Sequence, residues 1–130
     1  MTIQVLYSLP VPSTSLTREP YFSTEDGRYS IRFGYIRDGK DIEECVAFNN
    51  VAAVRTRAER CCSVEQIETS YDCLVEFESS QWVMEVLADM QDHMRDQWRT
   101  RHFMICLDSV GCYEVIADDW EITSRILSSR

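Results

Sequence analysis

With 130 residues, 45% of them hydrophobic, the chain can close one core of its own, whereas dividing it would leave two units each too small to be stable alone. The formal net charge of −9 is unevenly placed: residues 1–60 carry 8 acidic and 8 basic side chains, residues 61–121 carry 14 acidic and 3 basic. A field of that sign repels phosphate backbones and anionic lipid, which argues against direct nucleic-acid binding and points to a basic protein partner.

The first residues, MTIQVLYSLPVPS, lack the charged n-region and long apolar stretch of a signal peptide, and no apolar run approaches the ~18–20 residues of a membrane span. The chain therefore reads as cytoplasmic, with no membrane partner. In that compartment the six cysteines, Cys45, Cys61, Cys62, Cys73, Cys106 and Cys112, are expected as free thiols, most of them buried beside aliphatics at strand positions.

Residues 3–9 read as a first strand, closed by Pro10 and Pro12, neither of which can donate to a ladder. Residues 10–28 are rich in Ser, Thr, Pro and charge without periodicity and are expected as a long loop. Residues 29–37 alternate around Ile31, Phe33 and Tyr35 and meet Asp38-Gly39, the dipeptide that best supplies the two positive φ angles of a type I′ turn. A two-residue loop there pairs Arg37 with Lys40, Tyr35 with Ile42, Phe33 with Glu44 and Ile31 with Val46. Asn49-Asn50 signals a turn. Residues 51–58 then resume as a strand, with a helix as the competing reading because of Ala52, Ala53 and Ala58.

Residues 61–70 are polar and expected as a loop, and residues 71–78 alternate as a half-buried strand. A serine at 79 or 80 can cap a helix over residues 80–98. At 3.6 residues per turn Trp82, Val83, Val86, Leu87, Met90, Met94 and Trp98 share one apolar arc, and Glu85, Asp89, Asp92 and Asp96 form an acidic stripe opposite. Residues 102–118 read as a hairpin around Ser109, Val110 and Gly111. That loop sets Asp108 opposite Cys112, Cys106 opposite Glu114, Met104 opposite Ile116 and His102 opposite Asp118. The other face of the hairpin, from Phe103 to Ala117, is continuous and apolar, and is where the helix is expected to dock. Residues 119–127 close the chain as a strand or short helix anchored by Trp120. The expected fold is α+β, one domain over residues 1–130: a mainly antiparallel sheet of about five to seven strands packed by one long amphipathic helix.

The chemistry is sparse. His102, Asp118 and Glu114 are weak catalytic candidates on one face of the last hairpin, with Cys106 beside them: a carboxylate that orients an imidazole, which activates a nucleophile. His102 and Cys106 lie about 13 Å apart along one strand, so the pattern reads first as a cross-strand ion pair beside a buried thiol. No C-x-x-C pair or paired histidines announce a metal, and no phosphate-cradling or cofactor motif occurs, so neither metal nor cofactor is expected.

The stripe of Glu85, Asp89, Asp92 and Asp96, with Trp120 as a candidate aromatic anchor, is the most distinctive surface. No family motif carries over residue by residue. In general character, small, acidic and motif-free, the chain resembles immunity proteins that neutralise bacterial toxins, which implies a non-enzymatic domain masking a basic partner such as a toxin nuclease. The alternatives are a small enzyme or ligand-binding domain with a pocket around His102 and Asp118, and a structural homo-oligomer joined through a strand edge.

Overall fold

The computed structural model describes residues 2–129. Along the chain come β1 (Ile3–Ser8), β2 (Tyr21–Glu25), β3 (Arg28–Arg37), β4 (Lys40–Asn49), β5 (Ala53–Arg57), α1 (Val64–Ser70), β6 (Cys73–Phe77), α2 (Gln81–Asp89), β7 (Arg101–Leu107), β8 (Gly111–Ala117) and β9 (Asp119–Ser129). The strands form two antiparallel sheets, one in the spatial order β1-β6-β7-β8-β5 and one in the order β2-β3-β4-β9. The sheets pack face to face. Tyr29, Ile31, Phe33, Val46 and Phe48 from the second sheet meet Leu74, Phe103, Ile105, Leu107 and Val115 from the first in one buried cluster. Rings bridge the layers: Phe48 and Phe103 lie 5.3 Å apart and Phe22 and Tyr113 lie 4.1 Å apart, between centroids.

The α+β architecture with one long helix is therefore replaced by a two-sheet, mostly antiparallel β fold carrying two short helices. The helix expected over residues 80–98 stops at Asp89: Met90 is extended (φ −77°, ψ 143°), and a 3-10 turn follows at Asp92–Met94. A helix that small is held by what its apolar face packs on, and past Met90 the residues Met94 and Trp98 border a hollow beside Asn50, Val51 and Ala52 instead of continuing a helical arc. Nineteen helical residues would run about 28 Å, beyond a sheet whose strands hold five to seven residues, and the chain must turn back to enter β7. The helix also docks on the opposite face of the hairpin. The face of Phe103, Ile105 and Leu107 closes against the second sheet, and the helices cover the face of His102, Met104 and Cys106.

Local chemistry explains the remaining differences. The loop expected over residues 10–28 contains β2, which pairs with β3 around Asp26-Gly27 (φ 50° and 75°), the same turn that Asp38-Gly39 makes (φ 52° and 72°). The stretch read as a loop at 61–70 contains α1, begun by a capping box in which Ser63 Oγ accepts from the Gln66 N–H and Gln66 Oε1 accepts from the Ser63 N–H.

The last hairpin slips by two residues from its expected register. Leu107 pairs Gly111, Cys106 pairs Cys112, Met104 pairs Glu114 and His102 pairs Ile116. Gly111 has the positive φ (+128°) but opens β8 instead of closing the loop, and a Cβ there would run into the Arg57 carbonyl oxygen of the neighbouring strand. Gly111→Ala is expected to lower the unfolding free energy by about 1–3 kcal/mol in urea titrations, from strained backbone and displaced β5 together. The slip also corrects the expectation of six free thiols. It places Cys106 and Cys112 directly opposite, Cα to Cα 4.1 Å, joined as a disulfide, while Cys45, Cys61, Cys62 and Cys73 stay reduced. Among the described residues no helix is long and apolar enough to cross a membrane.

Candidate functional site

On the helix-covered face of the first sheet a chain of polar side chains crosses four elements. Arg55 on β5 pairs Glu114 on β8, Glu114 reaches His102 on β7, and His102 reaches Ser80, the N-cap of α2. Arg55 holds Glu114 with two bonds, Nε to Oε2 at 2.8 Å and Nη2 to Oε1 at 3.1 Å. His102 Nε2 lies 2.8 Å from Glu114 Oε1, and His102 Nδ1 lies 2.8 Å from Ser80 Oγ. Both His102 and Glu114 are 5% exposed, so this is a buried network and not a surface ion pair. Burial alone pushes the Glu114 carboxyl upward, but the hydrogen bonds from His102 and Arg55 and the Arg55 charge outweigh it and hold the group down at about 2. Aromatic faces enclose the imidazole: Phe77 at 4.5 Å, and Trp82 edge-on at 5.1 Å with the Arg55 guanidinium stacked 4.1 Å over it.

Above this network the two helices leave a groove. A cavity of about 460 Å³ is bordered by Phe77, Glu78, Ser80, Val83, Met84 and His102. A smaller one of about 160 Å³, lined by Ile3, Glu65, Gln66, Phe77 and Met104 among others, lies against α1 and shares Phe77 with the first. Apolar side chains share the lining with polar ones such as Gln66, Thr69, Gln81 and Thr100, the acidic residues are Glu78 and Glu65, and no arginine or lysine lines either cavity. Glu68, Glu85 and Asp89 add exposed carboxylates on the same two helices, and among the described residues none of the five is ion-paired. On the outer face of the second sheet Arg28, Arg32 and Arg125 line one shallow hollow with Glu43, and Arg28 is ion-paired with Glu121 and Arg125 with Glu43.

The sequence-derived candidates divide accordingly. His102 and Glu114 come together, but Asp118 does not join them: its carboxylate accepts the Arg99 N–H at 3.0 Å and sits 3.5 Å from the Arg99 guanidinium. The Arg99 N–H chiefly, with Asn50 and the Arg99 charge, holds the Asp118 carboxyl below the usual carboxylate range. Glu85 and Asp89 stay on the exposed side of α2, whereas Asp92 and Asp96 fall beyond its end, Asp92 beside Arg95 at 3.7 Å, so the four acids are no longer one helical stripe. Trp120 is partly buried, packed against the core beside Phe48. Sequence reading took a serine at 79 or 80 only as a cap and missed the part of Arg55 altogether. The alternation of Arg55 and Arg57 on β5 was the available signal, but which acid it met depended on strand order. Among the described residues no group of three or more His, Cys, Asp or Glu side chains is placed to hold a metal ion.

Comparison with protein families, curated proteins and solved structures gives no match. Function must therefore be argued from the groove and the side chains that build it.

Proposed function

We propose that this chain is a protein-binding domain that captures a basic partner in the groove between α1 and α2, in the manner of an inhibitor that masks a cationic surface. The observation that carries the reading is the pairing of apolar lining residues, Ile3, Phe77, Val83 and Met104 with the exposed Met84, with free carboxylates at Glu65 and Glu78. Apolar contact supplies affinity once the partner is seated, and the one-signed rim speeds encounter and rejects acidic competitors. A nuclease with a cationic nucleic-acid cleft has the required chemistry.

The test is a pull-down at low and high salt, followed by titration of the recovered basic protein against the wild type and a Glu65→Lys, Glu78→Lys double variant. Affinity is expected to fall at least ten-fold in the variant and to fall with added salt in the wild type, because solvent-exposed charge contacts are screened. Equal affinity in wild type and variant removes the groove as the docking site.

A further inference from the structure

The network beneath the groove has a property that docking does not require: a hydroxyl, an imidazole and a carboxylate stand in line, each 2.8 Å from the next. An ionised Glu114 carboxylate only accepts, so His102 Nε2 donates to it, and in the tautomer that carries its single proton there the Nδ1 lone pair faces Ser80 Oγ at 2.8 Å. In that tautomer Ser80 donates its hydroxyl proton to Nδ1, while Ser80 Oγ accepts the Val83 N–H at 3.2 Å. Capping α2 needs only a lone pair from that oxygen. A cap has no use for a buried imidazole on its proton, nor for a carboxylate clamped by an arginine behind the imidazole.

We infer that Ser80, His102 and Glu114 form a serine-nucleophile site for acyl transfer, opening into the 460 Å³ cavity between Phe77 and α2. In the forward step Ser80 Oγ bonds to the acyl carbon of an ester as its proton passes to His102 Nδ1, and the carbonyl π pair moves onto oxygen. That oxyanion meets the N–H groups of Gln81 and Trp82, the first two of α2, neither of which has an acceptor among the described residues. The bond to the leaving alkoxide then breaks, and its oxygen takes the proton from Nδ1. Water repeats the sequence in reverse, returning Ser80, neutral His102, a carboxylic acid and an alcohol. Ser80 and His102 are the catalytic residues. Glu114 and Arg55 are positioning residues that act through the imidazole. Phe77, Val83 and Met84 offer one apolar wall to the acyl chain, beside the polar Gln81 and Thr100, and the Glu78 carboxylate turns away anionic esters.

The inference goes beyond docking, and its test separates the two. The wild type is treated with a fluorophosphonate and with p-nitrophenyl acetate and butyrate, and adducts are mapped by peptide mass. One adduct on Ser80 is expected, with ester turnover that falls at least 100-fold in His102→Gln. Ser80→Asn keeps a side-chain oxygen for the cap but has no nucleophile, so it should fold, retain the charged rim and lose both labelling and turnover. Glu114→Gln should lose labelling that Glu114→Asp partly restores, an order that a purely space-filling role reverses. Absence of an adduct on Ser80 in the folded wild type, or turnover unchanged in Ser80→Asn, overturns the site and leaves partner capture untouched.

Discussion

Glu114→Ala is expected to lower the unfolding free energy by about 3–5 kcal/mol, the usual penalty for removing one member of a buried ion pair and stranding the others. The side chain receives two bonds from Arg55 and one from His102, and His102 is itself only 5% exposed. Arg55, whose side chain is 47% exposed, can swing outward, so the imidazole bears most of the loss. A His102→Leu, Glu114→Leu double variant should recover the greater part of it, because an apolar pair leaves no buried polar atom unpaired. Urea titration at pH 7 reads both, and a Glu114→Ala loss under about 1 kcal/mol would show that the network is not the buried unit described.

The same residue sets an acid limit. Glu114 titrates at about 2 in the folded protein against an ordinary 4.5, so the folded state favours the ionised form. The stability this contributes is complete above about pH 4.5 and is lost as pH falls through about 2. Acid unfolding of the wild type should steepen in that window, and the Glu114→Ala curve should be flatter there. Asp118, also depressed, adds to the slope in the same direction from a half-buried position.

What the sequence made legible follows from how local each determinant is. The β3–β4 register, Arg37 with Lys40 through Ile31 with Val46, appears as read, because a two-residue Asp-Gly turn and an alternating apolar face both specify it. The identical turn at Asp26-Gly27 was passed over because β2 is an edge strand in which Phe22 alone stacks into the core, so its flank shows no alternation. The hairpin of His102 and Glu114 kept its faces, since a slip of two residues preserves parity, but lost its pairs. His102 meets Glu114 diagonally and Cys112 arrives opposite Cys106. The helix beginning at Ser80 was legible from its cap and its apolar arc. Its end at Asp89 was not, because that depends on the width of the sheet beneath. Arg55 over Glu114 is the most remote feature of all: it requires β5 to leave its sequence neighbours and pair β8, 59 residues further on.

The other large effect is in the layer between the sheets. Phe103→Ala is expected to cost about 3–5 kcal/mol, since the ring is fully buried on a central strand and packs on Phe48 across the interface. Against the 5–15 kcal/mol of a typical domain this leaves a marginal fold, with the thermal midpoint down by roughly 10–20 °C. Phe103→Leu should lose much less, because most of the volume and all of the apolar character remain. Met84→Ala, on a residue 64% exposed, should stay within about 0.5 kcal/mol. The decisive quantity is the coupling between Phe48→Ala and Phe103→Ala. The two residues belong to different sheets, and only closure of one sheet on the other brings their rings to 5.3 Å, so the double variant should deviate from additivity by about 0.5–1.5 kcal/mol. A helix lying on the Phe103 face would separate the rings and leave the two losses additive. The cycle therefore measures which layer covers this face, and with it whether the opposite face is the one left free to carry α2, the groove and the Ser80–His102–Glu114 site.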